Sequence, residues 1–219
     1  MIGRPGAVIF DCDGVLVDSE GLMNREFRTM LREIGLSYTA EETTRTFMGR
    51  SMKGCLQIVE TQLGHAVPDD FLAVLDERAY AVFARDLKPV DGIEALLDAL
   101  DAAAIPYAVA SSGSHEKMET TLGITGLLPR LAGRITSATE VAHGKPAPDV
   151  FLLAAERLNV VPPRCVVIED SLLGIEAARA AGMHVIGYAA MVSAEAMRTA
   201  GATHVVRHMR DVMTLFAAM

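Results

Sequence analysis

The chain has 219 residues, of which 51% are hydrophobic and 22% are charged, and its formal net charge is −8 at pH 7. This balance suits one large globular domain, or a core domain with a modest insertion, and it excludes intrinsic disorder and low-complexity scaffolds. The acidic residues are spread evenly along the chain, so no basic surface for binding nucleic acid is expected.

The cysteines and the apolar runs indicate the compartment. Cys12, Cys55 and Cys165 are far apart and form no CxxC pair, so we expect a reducing compartment and neither a disulfide framework nor a cysteine-rich zinc site. No stretch reaches 18 apolar residues, and the first apolar run stops at Asp11. We therefore expect a cytoplasmic protein with no membrane partner. We also expect a monomer.

Short runs of apolar residues recur along the chain and predict β-strands. They are residues Ala7–Phe10, Tyr107–Ala110, Cys165–Ile168, His184–Gly187 and His204–Val206. Such runs are typical of strands that are covered on both faces of a parallel sheet. Helical periodicity lies between them, for example from Ile93 to Leu100. The alternation predicts a doubly wound, Rossmann-like α/β core, whose ligands bind beyond the carboxyl ends of the strands.

Residues 18–86 break this alternation because they show only helical periodicity. Within them, Thr39 and Glu42 have the spacing of a capping box, which predicts the start of a helix. We therefore predict an all-helical domain at residues 18–86, inserted after the first strand. The α/β core would then consist of residues 1–17 and 87–219.

The first predicted strand ends in two carboxylates, Asp11 and Asp13, followed by Gly14. Because side chains alternate along an extended chain, both carboxylates should point to the same side. One could then act as a nucleophile while the other moves protons. Gly14 would allow the sharp turn that brings the chain close to a ligand. An isolated Asp-x-Asp is usually a turn, but the preceding apolar strand favours an active site.

Three further polar segments have the chemistry of a phosphate site. Residues 111–114 (Ser-Ser-Gly-Ser) follow the second strand and could bind an anion at the start of a helix. Lys145, in a Gly-Lys-Pro sequence, could neutralise negative charge. Glu169 and Asp170 follow a third strand and carry the hard oxygen ligands that suit Mg²⁺. Each segment alone is usually a loop, an exposed turn or a helix cap, so the prediction depends on their coincidence.

With these four segments in this order, the chain resembles the haloacid dehalogenase-like (HAD) superfamily, in its capped phosphatase branch related to β-phosphoglucomutase and phosphoglycolate phosphatase. The resemblance implies that Asp11 is the nucleophile and that Asp13 is the general acid and base. It also implies that Ser111 and Lys145 contact the phosphoryl group.

The resemblance further implies a cofactor and a substrate class. Mg²⁺ would be held by Asp11, Asp13, Glu169 and Asp170, with a backbone carbonyl near Asp13 as one ligand. Ser112 and Gly113 would bind the phosphoryl oxygens of a small phosphorylated metabolite through their amides. Aromatic residues make up only 5% of the chain, which favours a sugar phosphate over a stacked nucleobase.

The helical insertion would act as a cap that closes over the site and reads the leaving group. Arg50 and Lys53, in a turn marked by Gly49, could bind a sugar hydroxyl, a carboxylate or a second phosphate. Glu20, next to the expected hinge, could also face the substrate. The alternative for Arg50 and Lys53 is that they are solvated surface charges.

Several alternatives to a phosphatase stay open. A phosphosugar mutase of the β-phosphoglucomutase type would use a histidine in the first cap helix, and Met23 occupies the corresponding place. Haloacid dehalogenases lack the second aspartate, so Asp13 argues against that chemistry. Phosphonate hydrolysis would need a cap lysine, for which Lys53 is the candidate. From another class, the chain could be a non-catalytic phosphoacceptor or a protein that binds a phosphorylated ligand.

Overall fold

The computed structural model describes residues 2–47 and 52–216, and the packing of the chain divides it into two compact units. The first unit, called the α/β unit, consists of residues 1–18 and 88–219. The second, called the helical unit, consists of residues 19–87. These boundaries lie one residue from those predicted from the sequence.

The described residues of the α/β unit form one parallel sheet of six strands in the order β3-β2-β1-β4-β5-β6. The strands are β1 (Ala7–Phe10), β2 (Tyr107–Ser111), β3 (Ile135–Ser137), β4 (Cys165–Glu169), β5 (His184–Tyr188) and β6 (His204–Val206). All five predicted strands are confirmed, and so is the doubly wound α/β architecture. The strand β3 was not predicted, because Ile135 is the only apolar residue among its three and no apolar run results.

The first strand lies at the centre of the sheet, where strand order reverses between β1 and β4. Ile9 pairs in register with Ala108 of β2 on one side and with Val167 of β4 on the other. All four residues of β1 are fully buried, as expected for a strand covered on both faces. In such a sheet the crevice at the reversal point binds ligands, so the ends of β1 and β4 are the expected place for a site.

The described residues of the helical unit form four helices around a core of their own. They are α1 (Glu20–Glu33), α2 (Ala40–Phe47), α3 (Met52–Leu63) and α4 (Phe71–Asp86). Phe27 packs edge to face against both Phe47 and Phe71, with ring centroids 5.1 and 6.2 Å apart. The predicted capping box is present: Thr39 N donates to Glu42 Oε2 at 2.8 Å, and Glu42 N donates to Thr39 Oγ1 at 3.1 Å.

The helices of the α/β unit cover the sheet between successive strands. They are α5 (Ile93–Ala102), α6 (His115–Ile124), α7 (Leu128–Leu131), α8 (Asp149–Arg157), α9 (Leu172–Ala180), α10 (Ala194–Ala200) and α11 (Val212–Leu215). Phe151 and Ala154 of α8 are fully buried in one apolar cluster with Ile9 and Val167. Among the described helices, none has the length and apolar character needed to cross a membrane.

Candidate active site

The reversal point of the sheet brings together three buried carboxylates. Asp11 follows β1 directly, Glu169 is the last residue of β4, and Asp170 is the next residue. One carboxylate oxygen from each lies within 4.8 Å of the others. A strand end places each side chain at the same edge of the sheet because all the strands run in parallel. The sequence prediction that these carboxylates share a site therefore agrees with their positions.

Lys145 lies among these carboxylates and is nearly inaccessible to solvent. Its Nζ donates to Asp11 Oδ1 at 2.5 Å and to Glu169 Oε2 at 2.8 Å. The ammonium also lies 4.8 Å from the centroid of the Phe151 ring, which adds a cation–π contact. Lys145, in the loop before α8, thus places one positive charge at the centre of the acidic cluster.

Burial and charge pairing perturb the titration of this pair. Burial raises the pKa of Asp11 to about 7, and the Lys145 ammonium opposes this rise. Burial alone would lower the pKa of Lys145, but Asp11 and Glu169 raise it above its ordinary value. Lys145 is therefore charged at neutral pH, and its charge favours the ionised form of Asp11 that a nucleophile requires.

Glu169 is held in place by the start of α9. Its Oε1 accepts hydrogen bonds from the backbone N of Ser171 at 3.0 Å and from Ser171 Oγ at 2.6 Å. Ser171 Oγ in turn accepts from Gly174 N at 3.0 Å and caps the helix. A Cβ added at Gly174 would lie 2.0 Å from Glu169 Cδ, so this position must be glycine for the carboxylate to stay where it is.

The carboxylate triad has the chemistry of a site for a hard divalent cation. Three buried oxygen ligands carry up to three negative charges, and Lys145 supplies one positive charge. Burying the excess negative charge is costly unless a cation accompanies it. Mg²⁺ prefers carboxylate oxygens, so Asp11, Glu169 and Asp170 fit this ion. The side chain of Asp13 is not part of the triad, and its predicted ligand role through a backbone carbonyl stays a prediction.

The segment Ser111–Ser114, called the phosphate loop, joins β2 to α6. Ser111 is buried at the end of β2, and its Oγ accepts a hydrogen bond from Gly113 N at 3.1 Å. Ser112 is exposed at the turn, and Ser114 Oγ caps α6 by accepting from Lys117 N. A tight loop before a helix N-terminus offers backbone amides to an anion. A helix cap, the ordinary alternative for such a segment, is therefore present at Ser114.

A network of charged residues supports the phosphate loop from the neighbouring strand. Ser137, at the end of β3, donates from Oγ to the carbonyl of Gly113 at 2.6 Å, and its N donates to Glu140 Oε1 at 2.8 Å. Glu140 also pairs with Arg157 Nη2 at 2.5 Å and His115 Nε2 at 2.7 Å. The Arg157 guanidinium and the Ser137 amide lower the pKa of Glu140 to about 2. His115 thus contacts Glu140 with its side chain still partly exposed.

Asp13 lies two residues after Asp11, where the chain turns back. Gly14 has the positive φ of 76° that the predicted sharp turn needs, and its N donates to the carbonyl of Val17 at 2.8 Å. The Asp13 carboxylate pairs with Lys117 of α6, whose Nζ donates to Oδ2 at 2.7 Å. The α/β unit therefore holds a second lysine beside its acidic residues, one that the sequence analysis did not single out.

Two of the predicted substrate-reading residues lie in the described part of the helical unit, and one does not. Glu20 is the first residue of α1 and is half-buried. Lys53 was predicted in a turn, and this was wrong: it is the second residue of α3 and is exposed. The helix begins this early because Cys55 and Val59, four residues apart, are both buried in the core of the unit. Arg50 lies outside the described residues.

Lys117 and Glu140 are the polar residues that the sequence reasoning missed. Lys117 lies in the first turn of α6, where the helix dipole disfavours a positive charge, and this misplaced cation was the available signal. Glu140 forms a capping box with Ser137, a spacing that is visible in the sequence. Neither signal identifies the long-range partners, which are Asp13 for Lys117 and Arg157 for Glu140, because these contacts join segments that are distant in the chain.

Comparisons with known proteins agree with this geometry. A family model described as haloacid dehalogenase-like hydrolase matches residues 5–182. The chain is 31% identical over 190 residues to the 6-phosphogluconate phosphatase of Escherichia coli (strain K12), covering 86% of this chain and 85% of that protein. It is 35% identical over 181 residues to the phosphorylated carbohydrates phosphatase of Thermotoga maritima, covering 81% and 82%.

Among solved structures, a HAD family hydrolase from Deinococcus radiodurans R1 was crystallised with bound phosphate and sodium. It is similar to this chain with a TM-score of 0.82 and 33% sequence identity, covering 96% of this chain and 94% of that one. The likeness therefore extends over both the α/β and the helical parts of the sequence.

Proposed function

This chain belongs to the haloacid dehalogenase-like hydrolases, and we propose that it hydrolyses the phosphate ester of a small metabolite, a sugar phosphate, through an aspartyl-phosphate intermediate. The observation that carries the proposal is the buried Asp11 carboxylate, paired with Lys145 at the reversal point of the sheet. The relatives named as a 6-phosphogluconate phosphatase and a phosphorylated carbohydrates phosphatase support the substrate class.

In the first step, an oxygen of Asp11 attacks the phosphorus atom. A phosphorus–oxygen bond to Asp11 forms while the bond to the oxygen of the leaving alcohol breaks. Asp13 donates its proton to that oxygen, so the alcohol leaves neutral. Lys145 and the amides of the phosphate loop, with Ser111, stabilise the charge on the phosphoryl oxygens as the bonds change.

In the second step, water hydrolyses the aspartyl-phosphate. Asp13, now ionised, takes a proton from the water while the oxygen of that water forms a bond to phosphorus. The bond between phosphorus and the Asp11 oxygen breaks, which releases inorganic phosphate and restores the carboxylate of Asp11. Asp13 ends the cycle protonated, as it began.

Asp11, Glu169 and Asp170 are the side chains proposed to hold Mg²⁺. When bound, this ion supplies positive charge that offsets the repulsion between the anionic substrate and the anionic nucleophile. Lys145 contributes to the same balance by neutralising Asp11 and Glu169.

We propose that the helical unit acts as the cap that selects the leaving group, with Arg50, Lys53 and Glu20 as candidate contacts. Lys53→Met and Glu20→Gln should then raise KM for the sugar phosphate and leave KM for p-nitrophenyl phosphate within about twofold, because the aryl group offers no matching hydroxyl or charge. Equal changes for both substrates would assign these residues a structural role.

The proposal is tested by phosphate release from a panel of phosphorylated sugars, sugar acids and nucleotides, with Mg²⁺ and with excess chelator. We expect Mg²⁺-dependent release from a sugar phosphate, and its loss in Asp11→Asn, which keeps the size of the side chain but removes the nucleophile. No release from any substrate would contradict the proposal. Isomerisation of a sugar phosphate without release would instead indicate a mutase.

A further inference from the structure

The two carboxylates assigned to the chemistry each pair with a different lysine. Lys145 contacts Asp11, whereas Lys117 contacts Asp13, and the second pair joins residues 104 positions apart in the sequence. The Lys117 and Asp13 side chains are both 27% exposed, so the pair lies at the edge of the site rather than in open solvent.

Lys117 is fixed at its backbone and along its side chain. Its N donates to Ser114 Oγ at 3.2 Å, which places it in the first turn of α6. A Cβ added at Gly113 would lie 3.5 Å from Lys117 Cδ and 3.6 Å from Ser111 Oγ. The aliphatic part of Lys117 therefore runs along the phosphate loop before its ammonium reaches Asp13.

The first turn of α6 is an unfavourable place for Lys117 unless its pair with Asp13 serves a function. A positive charge in the first turn of a helix opposes the helix dipole. Lys117 Nζ nevertheless lies 2.7 Å from Asp13 Oδ2, at a position where helix stability alone would favour an acidic residue.

We infer that Lys117 is a positioning residue for the proposed reaction: it ties the Asp13 carboxylate to the phosphate loop, so that the proton donor faces the oxygen of the leaving alcohol. The inference rests on the proposed phosphatase function. The contact that fixes the carboxylate is the hydrogen bond from Lys117 Nζ to Asp13 Oδ2 at 2.7 Å. A charge-assisted hydrogen bond restricts the rotation of a short carboxylate, and misplacement of a catalytic group by about 1 Å costs roughly 100-fold in rate.

The experiment compares two substrates whose leaving groups differ in their need for a proton. An alkoxide from a sugar phosphate needs protonation as it leaves, whereas p-nitrophenolate leaves without it. We expect Lys117→Met to lower kcat/KM about 10- to 100-fold for the sugar phosphate and less than about threefold for p-nitrophenyl phosphate. Lys117→Arg should restore most of the loss, and the matched control Lys88→Met, at an exposed lysine of the α/β unit, should change neither value.

A second measurement keeps the test decisive. In an Asp13→Asn background, Lys117→Met should change kcat/KM for the sugar phosphate by less than about twofold, because the residue acts through Asp13. If Lys117→Met fails to fold, as judged by its melting curve, Lys117→Gln replaces it. The expected result is the same: a larger loss of kcat/KM for the sugar phosphate than for p-nitrophenyl phosphate.

Three outcomes overturn the inference. Equal losses for both substrates would assign Lys117 to phosphate binding or to folding, and unchanged kinetics would remove its role altogether. An undiminished effect in the Asp13→Asn background would show that it acts elsewhere. A fourth outcome, a wild-type protein that releases phosphate from neither substrate, overturns the proposed function itself and is thereby distinguished from the other three.

Discussion

The α/β unit and the helical unit use charge in different ways. In the α/β unit, the Lys145 and Asp11 side chains pair at 2.5 Å with only 6% and 9% of their surfaces exposed. In the helical unit, Arg78 and Glu33 pair at 2.7 Å, but their side chains are 38% and 48% exposed. The pairing distances are similar, whereas the surroundings differ. The buried pair is costly to assemble and costly to break, while the exposed pair is screened by water.

This difference indicates which unit holds the polar residues of the site. The core of the helical unit is apolar and aromatic, with Phe27, Phe47 and Phe71 at its centre, and such packing accounts for folding without any polar chemistry. The α/β unit instead holds Asp11, Glu169 and Asp170 together in its interior. Because buried charge lowers stability unless it is compensated, the acidic cluster is the part of the molecule that function explains and folding does not.

The largest effect should follow removal of the central positive charge. Lys145→Met leaves the buried carboxylates without their counter-charge, so we expect kcat/KM to fall about 10²- to 10³-fold and the free energy of unfolding to fall by about 3–5 kcal/mol. Phosphate release and urea unfolding measure the two effects. Lys88→Met is the control, and a Lys145→Met protein of unchanged stability would contradict the account of the buried pair.

A smaller effect should follow displacement of one carboxylate by a single methyl group. In Gly174→Ala, the added Cβ would overlap the Glu169 carboxylate, so we expect Mg²⁺ affinity to fall about 10- to 100-fold. Isothermal titration calorimetry with Mg²⁺ measures this without any substrate. The control is Gly123→Ala in α6, where the nearest atom to the added Cβ is 3.9 Å away. Unchanged affinity in Gly174→Ala would mean that Glu169 is not a ligand.

The network below the phosphate loop should contribute to stability in a pH-dependent way. Glu140→Gln loses the ion pair with Arg157, so we expect a loss of about 1 kcal/mol at pH 7 after allowance for solvent screening, or roughly 2–4 °C in Tm. The folded pKa of Glu140 is lowered from 4.5 to about 2. Its contribution is therefore complete above pH 4.5 and is lost as the pH falls towards 2. Equal Tm differences at pH 7 and pH 3 would contradict this assignment.

The exposed pair of the helical unit should give the smallest effect. Arg78→Met removes the partner of Glu33, yet both side chains lie in solvent, so we expect Tm to change by less than about 1 °C. Thermal melts of this variant beside Lys145→Met compare the two units directly. A large loss in Arg78→Met would show that exposure does not separate these pairs.

More of the α/β unit than of the helical unit could be predicted from the sequence, and the reason is physical. Parallel strands buried on both faces are apolar throughout, so β1 and β4 could be recognised, and the polar residues after them had to meet at one sheet edge. The buried cluster of Asp11, Glu169 and Asp170 follows from that topology. The edge strand β3 was missed because it has one apolar residue, Ile135, whereas the equally short β6 has two adjacent valines.

Long-range polar contacts were harder to predict from the sequence. Nothing in the local sequence says that Lys117 pairs with Asp13, because a lysine on a helix surface is usually solvated. Lys53 lies in a helix rather than in the predicted turn, because Cys55 and Val59 have the helical spacing that buries both in the core of the unit. Local patterns identify elements, whereas partners depend on how those elements pack.

The most direct test of the central claim is to trap the covalent intermediate. The enzyme would be mixed with its sugar phosphate substrate, quenched in acid, reduced with borohydride and digested for peptide mass spectrometry. Reduction converts an aspartyl-phosphate to homoserine, so we predict homoserine at position 11, only when substrate is present, and none in Asp11→Asn. Phosphate release without modification of Asp11, or with modification of Asp13 instead, would contradict the assignment of Asp11 as the nucleophile.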